Sequence, residues 1–460
     1  MKSKIIFIGG LGISGYEAAL LALSKNYKVS VFDSRVSKSL EEHADELRKL
    51  GADVYLNHTF SETALNADFF VISPGIHPKS DFGRWIHSHS CPVISELEFA
   101  ASLTNIPLIG ITGTNGKTTT TELITHCLNK MGPKAIAAGN IGKALSCVVR
   151  ENNAWDYIVV EVSSFQLECI DQLKFVCGLL LNIESDHIDR YDSENDYALA
   201  KIRLLKHSTK EVSSLSCLSH DAWDDGLNQN IFVTSIDPVA EKENSASINS
   251  LIQATLTSKT EMDFTGNHFE LSAHPLQGIH NAQNIMSCMA VLHLLGFAKD
   301  EVFKASLTYR AAPHRMQNFL HYKKIRFIND SKATNPHAML MALKSLGDKE
   351  KKNLVLIAGG RDKKMDFNIV NSSLSSYVRA IFIYGECRQT LFDSWKDVTS
   401  CQTYESFDES VGAALLTVKE GDTLLLSPGC ASFDCFQSYA HRGEEFISSV
   451  LEWRKNEQNI

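Results

Sequence analysis

The sequence predicts three α/β domains built on mainly parallel sheets, and three observations carry that prediction. Short apolar strands alternate with helical segments along the chain, the pattern of parallel strands joined by helical crossovers. Two glycine-rich turns, Gly10–Gly15 and Gly113–Lys117, each follow a strand and open a helix. The chain has 460 residues, which at roughly 150 per domain suggests three.

Composition narrows the class. Hydrophobic residues make up 44% and charged residues 22%, an ordinary balance for a soluble protein. A net charge of −9 argues against a broad nucleic-acid or anionic-membrane surface. The 11 cysteines form no C-x-x-C pair and read as reduced thiols rather than a disulfide frame or a zinc site; Cys430 and Cys435 are taken as packing residues. No apolar stretch approaches about 18 residues, so no membrane span is expected. The opening Ile5–Ile8 run reads as a first strand, not a secretory leader, and the expected location is cytoplasmic.

The elements follow in order. In residues 1–94, Ile5–Ile8, Lys28–Phe32 and Asp68–Ile72 are strands, the last ending in Ser73-Pro74-Gly75. Gly15–Ser24 and Leu40–Leu50 are helices. In residues 95–311, Pro107–Ile111, Tyr157–Val160 and Val176–Ile183 are near-continuous apolar strands, as expected of a sheet covered on both faces. Lys117–Lys130, Asp196–His207 and His280–Leu295 are helices. The less regular stretch 211–278 reads as sheet-edge and loop elaboration. In residues 312–460, Ile325–Ile328, Leu354–Ile357, Ala380–Tyr384 and Thr423–Leu426 are strands. Asn335-Pro336 is an N-cap with proline in the first turn of a helix that stops at Gly347.

The first glycine-rich turn is a full G-x-G-x-x-G, with Gly12, Ile13 and Ser14 at its centre. Such a turn lets backbone N–H groups approach phosphate oxygens at a helix N-terminus. Asp33, followed by Ser34 and Arg35, ends the next strand, where an acid usually contacts a ribose. Taken alone, this pattern points to a nicotinamide-dependent enzyme. The second turn, Gly113-Thr114-Asn115-Gly116-Lys117-Thr118-Thr119, is a variant phosphate loop, because Ile111 stands where the strict pattern has glycine. Its amides can cradle phosphates, Lys117 can reach the β- and γ-phosphates, and Thr118 can bind Mg²⁺.

The run G-T-N-G-K-T-T resembles the ATP loop of the Mur ligase superfamily, which also includes folylpolyglutamate synthases. The resemblance continues in the family's order through E-V-S-S-F-Q-L at 161–167, N-I-E-S-D-H-I-D-R at 182–190, Lys201, H-N-A-Q-N at 280–284, P-H-R at 313–315 and N-D-S-K-A-T-N at 329–335. It covers nearly the whole chain. G-G-R-D-K-K-M-D-F at 359–367 and S-P-G-C-A-S-F-D at 427–434 resemble the D-glutamate-adding branch. The L-alanine-adding branch and folylpolyglutamate synthase are the near alternatives. A non-catalytic nucleotide-binding module remains the alternative outside the enzymes.

The resemblance implies three domains: a Rossmann-like UDP-binding domain, a P-loop-type central ATPase domain and a Rossmann-like C-terminal domain. It implies that ATP phosphorylates the L-alanine carboxylate of UDP-N-acetylmuramoyl-L-alanine and that D-glutamate attacks the acyl phosphate. Thr118 and Glu161 are the implied ligands of one Mg²⁺ and His187 that of a second. Lys201 is implied to be carbamylated, which needs a neutral amine of the kind burial or nearby cations favour. Asn281 and Asn284 would contact adenine, Arg315 the ATP phosphates, Asp330 the ribose or metal, and Lys332 the intermediate. Gly12, Ile13, Ser14, Asp33, Ser34, Arg35, Ser73, Gly75 and Asn140 would hold the UDP substrate. Thr334, Lys363, Ser432, Phe433 and Tyr439 would line the D-glutamate pocket. Phe433 and Tyr439 depart from the leucine and phenylalanine frequent in the family, which bears on that pocket's shape. The protein is expected to act as a monomer on small molecules, without nucleic acid or membrane.

Overall fold

Runs of Ile, Val and Leu that no face of the sheet leaves in water form the centre of each layer in the computed structural model. It describes residues 4–57, 67–184, 190–218, 232–235, 252–258, 260–276, 278–310, 313–348, 350–361 and 365–458. The described chain divides into two compact units, Met1–His274 with Asn281–Tyr309, and Pro275–His280 with Arg310–Ile460.

The first unit holds two sheets. One is five-stranded and parallel, in the spatial order Asp53–Leu56, Lys28–Asp33, Ile5–Gly9, Phe69–Ile72 and Val93–Ser95. The chain order reverses across Ile5–Gly9, which opens a crevice at its carboxyl end between the Gly10–Gly15 turn and Ser73. The other sheet has nine strands. Ala135–Gly139, Tyr157–Glu161, Leu108–Thr112, Cys177–Leu180, Glu211–Ser214, Phe232–Ser235 and Ile252–Ser258 are parallel; Glu261–Phe264 and Asn267–Glu270 close one edge as an antiparallel ribbon.

Five of those nine strands lie in the stretch 211–278, so the expected elaboration is a continuation of the sheet itself. Their Ser, Thr and Asn content hid them, because short edge strands need no continuous apolar run. The predicted strand Val176–Ile183 ends early, at Leu180. Leu181 N–H still bonds Thr112 O at the end of the neighbouring strand, and from Asn182 the backbone bonds the glycine-rich loop instead. The helices Asp81–His87 and Glu96–Ala101 were also not foreseen; Ser80 and Ser95 cap them, their hydroxyls accepting from Gly83 and Glu98 N–H.

One apolar core joins the two sheets of this unit, running from Ile6, Leu21 and Phe99 to Leu145, Val160 and Phe175. Glu96, 2% exposed, accepts a hydrogen bond from Ser146 N–H at 2.7 Å across that junction. Glu98 accepts three, from the N–H groups of Asp171, Gln172 and Leu173.

The second unit is a six-stranded sheet in the order Gln317–Tyr322, Ile325–Asn329, Thr423–Gly429, Leu354–Gly359, Val378–Tyr384 and Ser400–Thr403, with only the first strand antiparallel. Separate cores cover it, one around Leu356, Ile383 and Trp395, another around Phe327, Tyr384 and Phe446. Asn335 caps the helix Pro336–Leu346 as expected, accepting from Ala338 N–H at 2.8 Å. Gly347 ends it as expected, but not in the left-handed conformation that glycine often supplies at a helix end. Its φ is −72°, and a Cβ there would lie 2.3 Å from the Tyr377 ring. Among the described residues no helix is long and apolar enough to cross a membrane. The cysteines are unpaired; of the two expected to pack, Cys430 is buried but Cys435 is exposed.

Candidate functional site

The phosphate loop is held in shape by backbone geometry that glycine permits. Gly113 has φ +150°, and Gly116 sits left-handed at φ +82° as the N-cap of the helix Lys117–Met131. A Cβ on Gly116 would come within 2.5 Å of the Asn284 side-chain oxygen. Asn182 pins the loop from the neighbouring strand end. Its backbone carbonyl accepts from Thr114 N–H at 3.0 Å, its side chain accepts from Asn115 N–H at 2.8 Å, and its amide donates to Asn115 O at 3.1 Å. The helix Lys117–Met131 therefore opens on a rigidly held loop, and the N-terminus of a helix placed so favours phosphate.

Two lysines converge there. The Lys117 ammonium donates to the carbonyls of Gly113 and Thr114, each at 2.7 Å. Lys201, on the helix Glu194–Lys206, is 2% exposed, donates to the same Gly113 carbonyl at 2.8 Å and lies 4.5 Å above the Tyr197 ring. A helical lysine is ordinarily a solvated surface residue; burial beside a second ammonium sets this one apart.

Glu161 ends its strand in register with Ile111, immediately before the loop. It is 2% exposed. Oε1 accepts from the Asn140 amide at 2.9 Å, while Oε2 is buried with no partner. A buried carboxylate oxygen left bare is costly, and a hard cation is the natural complement. The half-buried Thr118 opens the same helix. No group of three His, Cys, Asp or Glu side chains that could hold a metal ion is gathered among the described residues. Asn281 and Asn284 are both buried, and the Asn284 amide donates to Asn281 Oδ1 at 3.2 Å. Both are buried rather than surface caps, and Asn284 lies against the loop at Gly116. His187 and Lys363 lie outside the described residues.

At the crevice of the five-stranded sheet, Gly12 caps the helix Ile13–Ser24, and a Cβ there would meet nothing within 4 Å. On Gly15 it would meet the Gly10 carbonyl at 1.8 Å, so that glycine is needed for strand–helix packing. Ile13 is 70% exposed beside this turn; Ser34, Arg35 and Gly75 are exposed and Ser14 and Ser73 half-buried. Asp33 is buried and uses its oxygens locally, accepting from Leu11 N–H at 2.9 Å and from the Arg35 guanidinium at 3.1 Å. Burial works to raise its pKa, but the Arg35 and Leu11 hydrogen bonds prevail and hold it below the usual carboxylate range.

In the second unit, Lys332 lies 3.9 Å above the Tyr439 ring, which brings two expected site residues together. Ser432 is buried, Thr334 half-buried and Phe433 65% exposed. His314 is buried in a left-handed conformation at φ +67°, and its Nδ1 accepts from the Asn329 amide at 2.9 Å. Burial lowers its pKa against an opposing pull from Glu444. A Cβ on Gly443 would strike His314 Nδ1 at 2.2 Å. Arg442, wholly buried, donates to Ser331 Oγ at 2.9 Å, Ser331 O at 2.8 Å and Cys430 O at 3.2 Å, fixing the segments that carry Lys332 and Ser432. Sequence reasoning missed Asn182, Arg442 and Gly443 as positioning residues. Asn182 opens the 182–190 motif, and Arg442 and Gly443 follow Tyr439 by three and four residues.

Asp330 accepts from Met316 N–H at 3.1 Å and from Ser427 Oγ at 2.9 Å, while half-buried Arg315 lies next to Met316 in sequence. Burial raises the Asp330 pKa to about 7, against the lowering effect of those bonds and of Arg315 and Arg442. Because its folded pKa exceeds the unfolded one, the folded state holds a proton that the unfolded state releases, so stability falls as pH rises from about 4 through 7. Asp330→Asn removes that term. The melting temperature of the variant minus that of the parent is expected to grow from pH 5 to pH 8. A difference that is flat or shrinks with pH would show the carboxyl to be ionised throughout.

Residues 111–292 match the Mur ligase middle domain, and residues 314–430 match the Mur ligase glutamate ligase domain. The UDP-N-acetylmuramoylalanine–D-glutamate ligase of Thermoanaerobacter pseudethanolicus is 31% identical, over 99% of this chain and 100% of its own. That of Bacteroides thetaiotaomicron is 34% identical, over 98% and 100%. Among solved structures, the UDP-N-acetylmuramate-alanine ligase from Thermotoga maritima shares the fold with a TM-score of 0.60 at 17% identity, covering 98% of this chain and 99% of its own. The MurF ligase from Thermotoga maritima, in complex with ADP, gives 0.61 at 16% identity, covering 92% and 94%.

Proposed function

The chain belongs to the Mur ligase family, and on that premise we propose that it is the ATP-dependent ligase that joins D-glutamate to UDP-N-acetylmuramoyl-L-alanine in peptidoglycan precursor synthesis. The observation that carries the reading is the phosphate loop beside the bare Glu161 oxygen, with Lys117 and buried Lys201 sharing the Gly113 carbonyl.

The reaction has two steps. An oxygen of the L-alanine carboxylate attacks the γ-phosphorus of ATP, and ADP leaves. The D-glutamate amine then attacks the acyl carbon and loses a proton, and phosphate leaves with the C–O bond electrons. Two anions must meet in the first step, so most of the catalysis is positioning and charge neutralisation. The loop amides and Lys117 hold the phosphates. Thr118 and Glu161 would hold one Mg²⁺ and His187 a second; the metal, when bound, neutralises phosphate charge. Lys201 carries a carbamate in this reading, an anion set against Lys117. Asn281 and Asn284 take the adenine, Arg315 and Asp330 the nucleotide, and Lys332 the intermediate. Gly12, Ile13, Ser14, Ser34, Arg35, Ser73, Gly75 and Asn140 take the UDP substrate, with Asp33 shaping the turn. Thr334, Lys363, Ser432, Phe433 and Tyr439 take D-glutamate.

The proposed domains are 1–94 for the UDP substrate, 95–311 for ATP and 312–460 for the amino acid. The protein works as a cytoplasmic monomer, with neither nucleic acid nor membrane as a partner. The test is phosphate release with ATP, Mg²⁺ and UDP-N-acetylmuramoyl-L-alanine, each amino acid being added separately. Release with D-glutamate alone is expected. Release with L-alanine or L-glutamate would overturn the assignment of the pocket around Ser432, and no release with any amino acid would overturn the substrate.

A further inference from the structure

One arginine bridges the two sheets of the first unit, between the turn after Phe69–Ile72 and the segment that follows Glu161. Arg190 lies at the start of the described segment 190–218, and its side chain is 9% exposed. Its Nε and one terminal nitrogen form a fork on the Glu168 carboxylate at 3.1 and 2.6 Å. The fork's other contacts reach the first sheet, donating to Pro74 O at 3.1 Å and Ile76 O at 3.5 Å. The Phe165 ring covers the guanidinium at 4.1 Å.

The same cluster extends toward the ATP loop. Phe165 lies in the short helix Ser164–Leu167, which begins three residues after Glu161. Tyr191 donates to Glu168 Oε1 at 2.5 Å and packs edge-on against Tyr197, with ring centroids 5.3 Å apart. Tyr197 underlies the Lys201 ammonium and meets the Thr114 hydroxyl at 3.2 Å. On the other side, the turn at Ser73 has modest ties of its own: Ser73 N–H to Gly9 O at 2.9 Å, Ile76 N–H to Ser73 O at 3.0 Å, and a long Ser73 hydroxyl contact to Gly10 O at 3.4 Å. Lys79 and Asp192 add an exposed ion pair across the same gap at 2.5 Å.

We propose that Arg190 is a positioning residue that sets the Ser73–Ile76 turn, and through it the acyl end of a uridine-nucleotide substrate, at a fixed distance from the phosphate loop. The proposal rests on the function assigned above. A charged fork that bonds a carboxylate and two carbonyls at once defines direction as well as distance. Lysine offers a point charge and cannot do both. A misplacement of about 1 Å between carboxylate and γ-phosphate suffices to slow an in-line transfer severely.

The test uses the full chain with Arg190→Lys and Glu168→Gln, the second keeping side-chain shape if the first folds poorly. KM is measured for each substrate, and affinities for ADP and for UDP-N-acetylmuramoyl-L-alanine are measured separately by calorimetry. Both variants are expected to raise KM for the uridine nucleotide about tenfold or more and to lower kcat, with ADP affinity changed by about twofold or less. Hydrogen exchange at the Ile76 amide should quicken. Equal loss of ADP and uridine-nucleotide affinity, or a lower melting temperature with unchanged KM values, would overturn the proposal. Parent protein that binds the uridine nucleotide but rejects D-glutamate would sink the amino-acid assignment and leave this one standing.

Discussion

Lys117→Ala is expected to lower D-glutamate-dependent phosphate release by about 10²–10³-fold, the usual cost of removing one preorganised charge from a developing anion. The lysine ammonium is already folded over the loop, on the Gly113 and Thr114 carbonyls. With alanine there, the Gly113 carbonyl keeps its bond from Lys201 and the Thr114 carbonyl loses one partner, at about 1 kcal/mol. Stability should therefore change little while the chemical step collapses. Thermal melts alongside single-turnover phosphate release separate the two. A variant that keeps release within about threefold of the parent would remove Lys117 from the mechanism. Lys201 cannot substitute, because it is buried against Tyr197 and already bonded to the Gly113 carbonyl.

Glu161→Gln is expected to act in opposite directions on activity and on the stability of the metal-free protein. Oε2 of Glu161 is buried without a partner. Glutamine keeps an oxygen for the Asn140 amide and removes the buried charge. A neutral amide left unpaired costs about 1–3 kcal/mol, less than an uncompensated carboxylate. Without Mg²⁺ the variant should thus melt at or above the parent's temperature. With Mg²⁺ and ADP the parent should gain stability by mass action and the variant should not. The Mg²⁺ concentration for half-maximal rate should rise about 10–100-fold. An unchanged Mg²⁺ requirement would take Glu161 out of the metal site.

The two variants probe residues that differ in how legible they were. Lys117 and the glycines around it could be read directly, because a phosphate loop needs backbone amides, a tight turn and a cation within a few consecutive residues. Glu161 and Lys201 were legible only through resemblance. Nothing in a lone glutamate at a strand end, or a lysine on a helix, says that one oxygen will be stranded or that the ammonium will be buried. Asn182 and Arg442 were not read as positioning residues, since their partners are backbone groups that any sequence would supply.

By itself the sequence determined the α/β class, the two glycine-rich strand–helix turns, most strands and helices, and the Asn335–Pro336 cap. Each of these depends on neighbours within about a dozen residues, where periodicity and glycine or proline chemistry act. The tertiary structure decided the rest. It extended the central sheet through 211–270 with strands too polar to announce themselves. It made Gly347 and Gly443 obligatory through clashes with Tyr377 and His314 rather than through handedness. It turned Asp33 inward to hold Leu11 and Arg35, and exposed Phe433 and Cys435. Burial and hydrogen-bond partnership arise between residues far apart in the chain, and long-range packing alone sets which polar group is satisfied and which is left to a ligand.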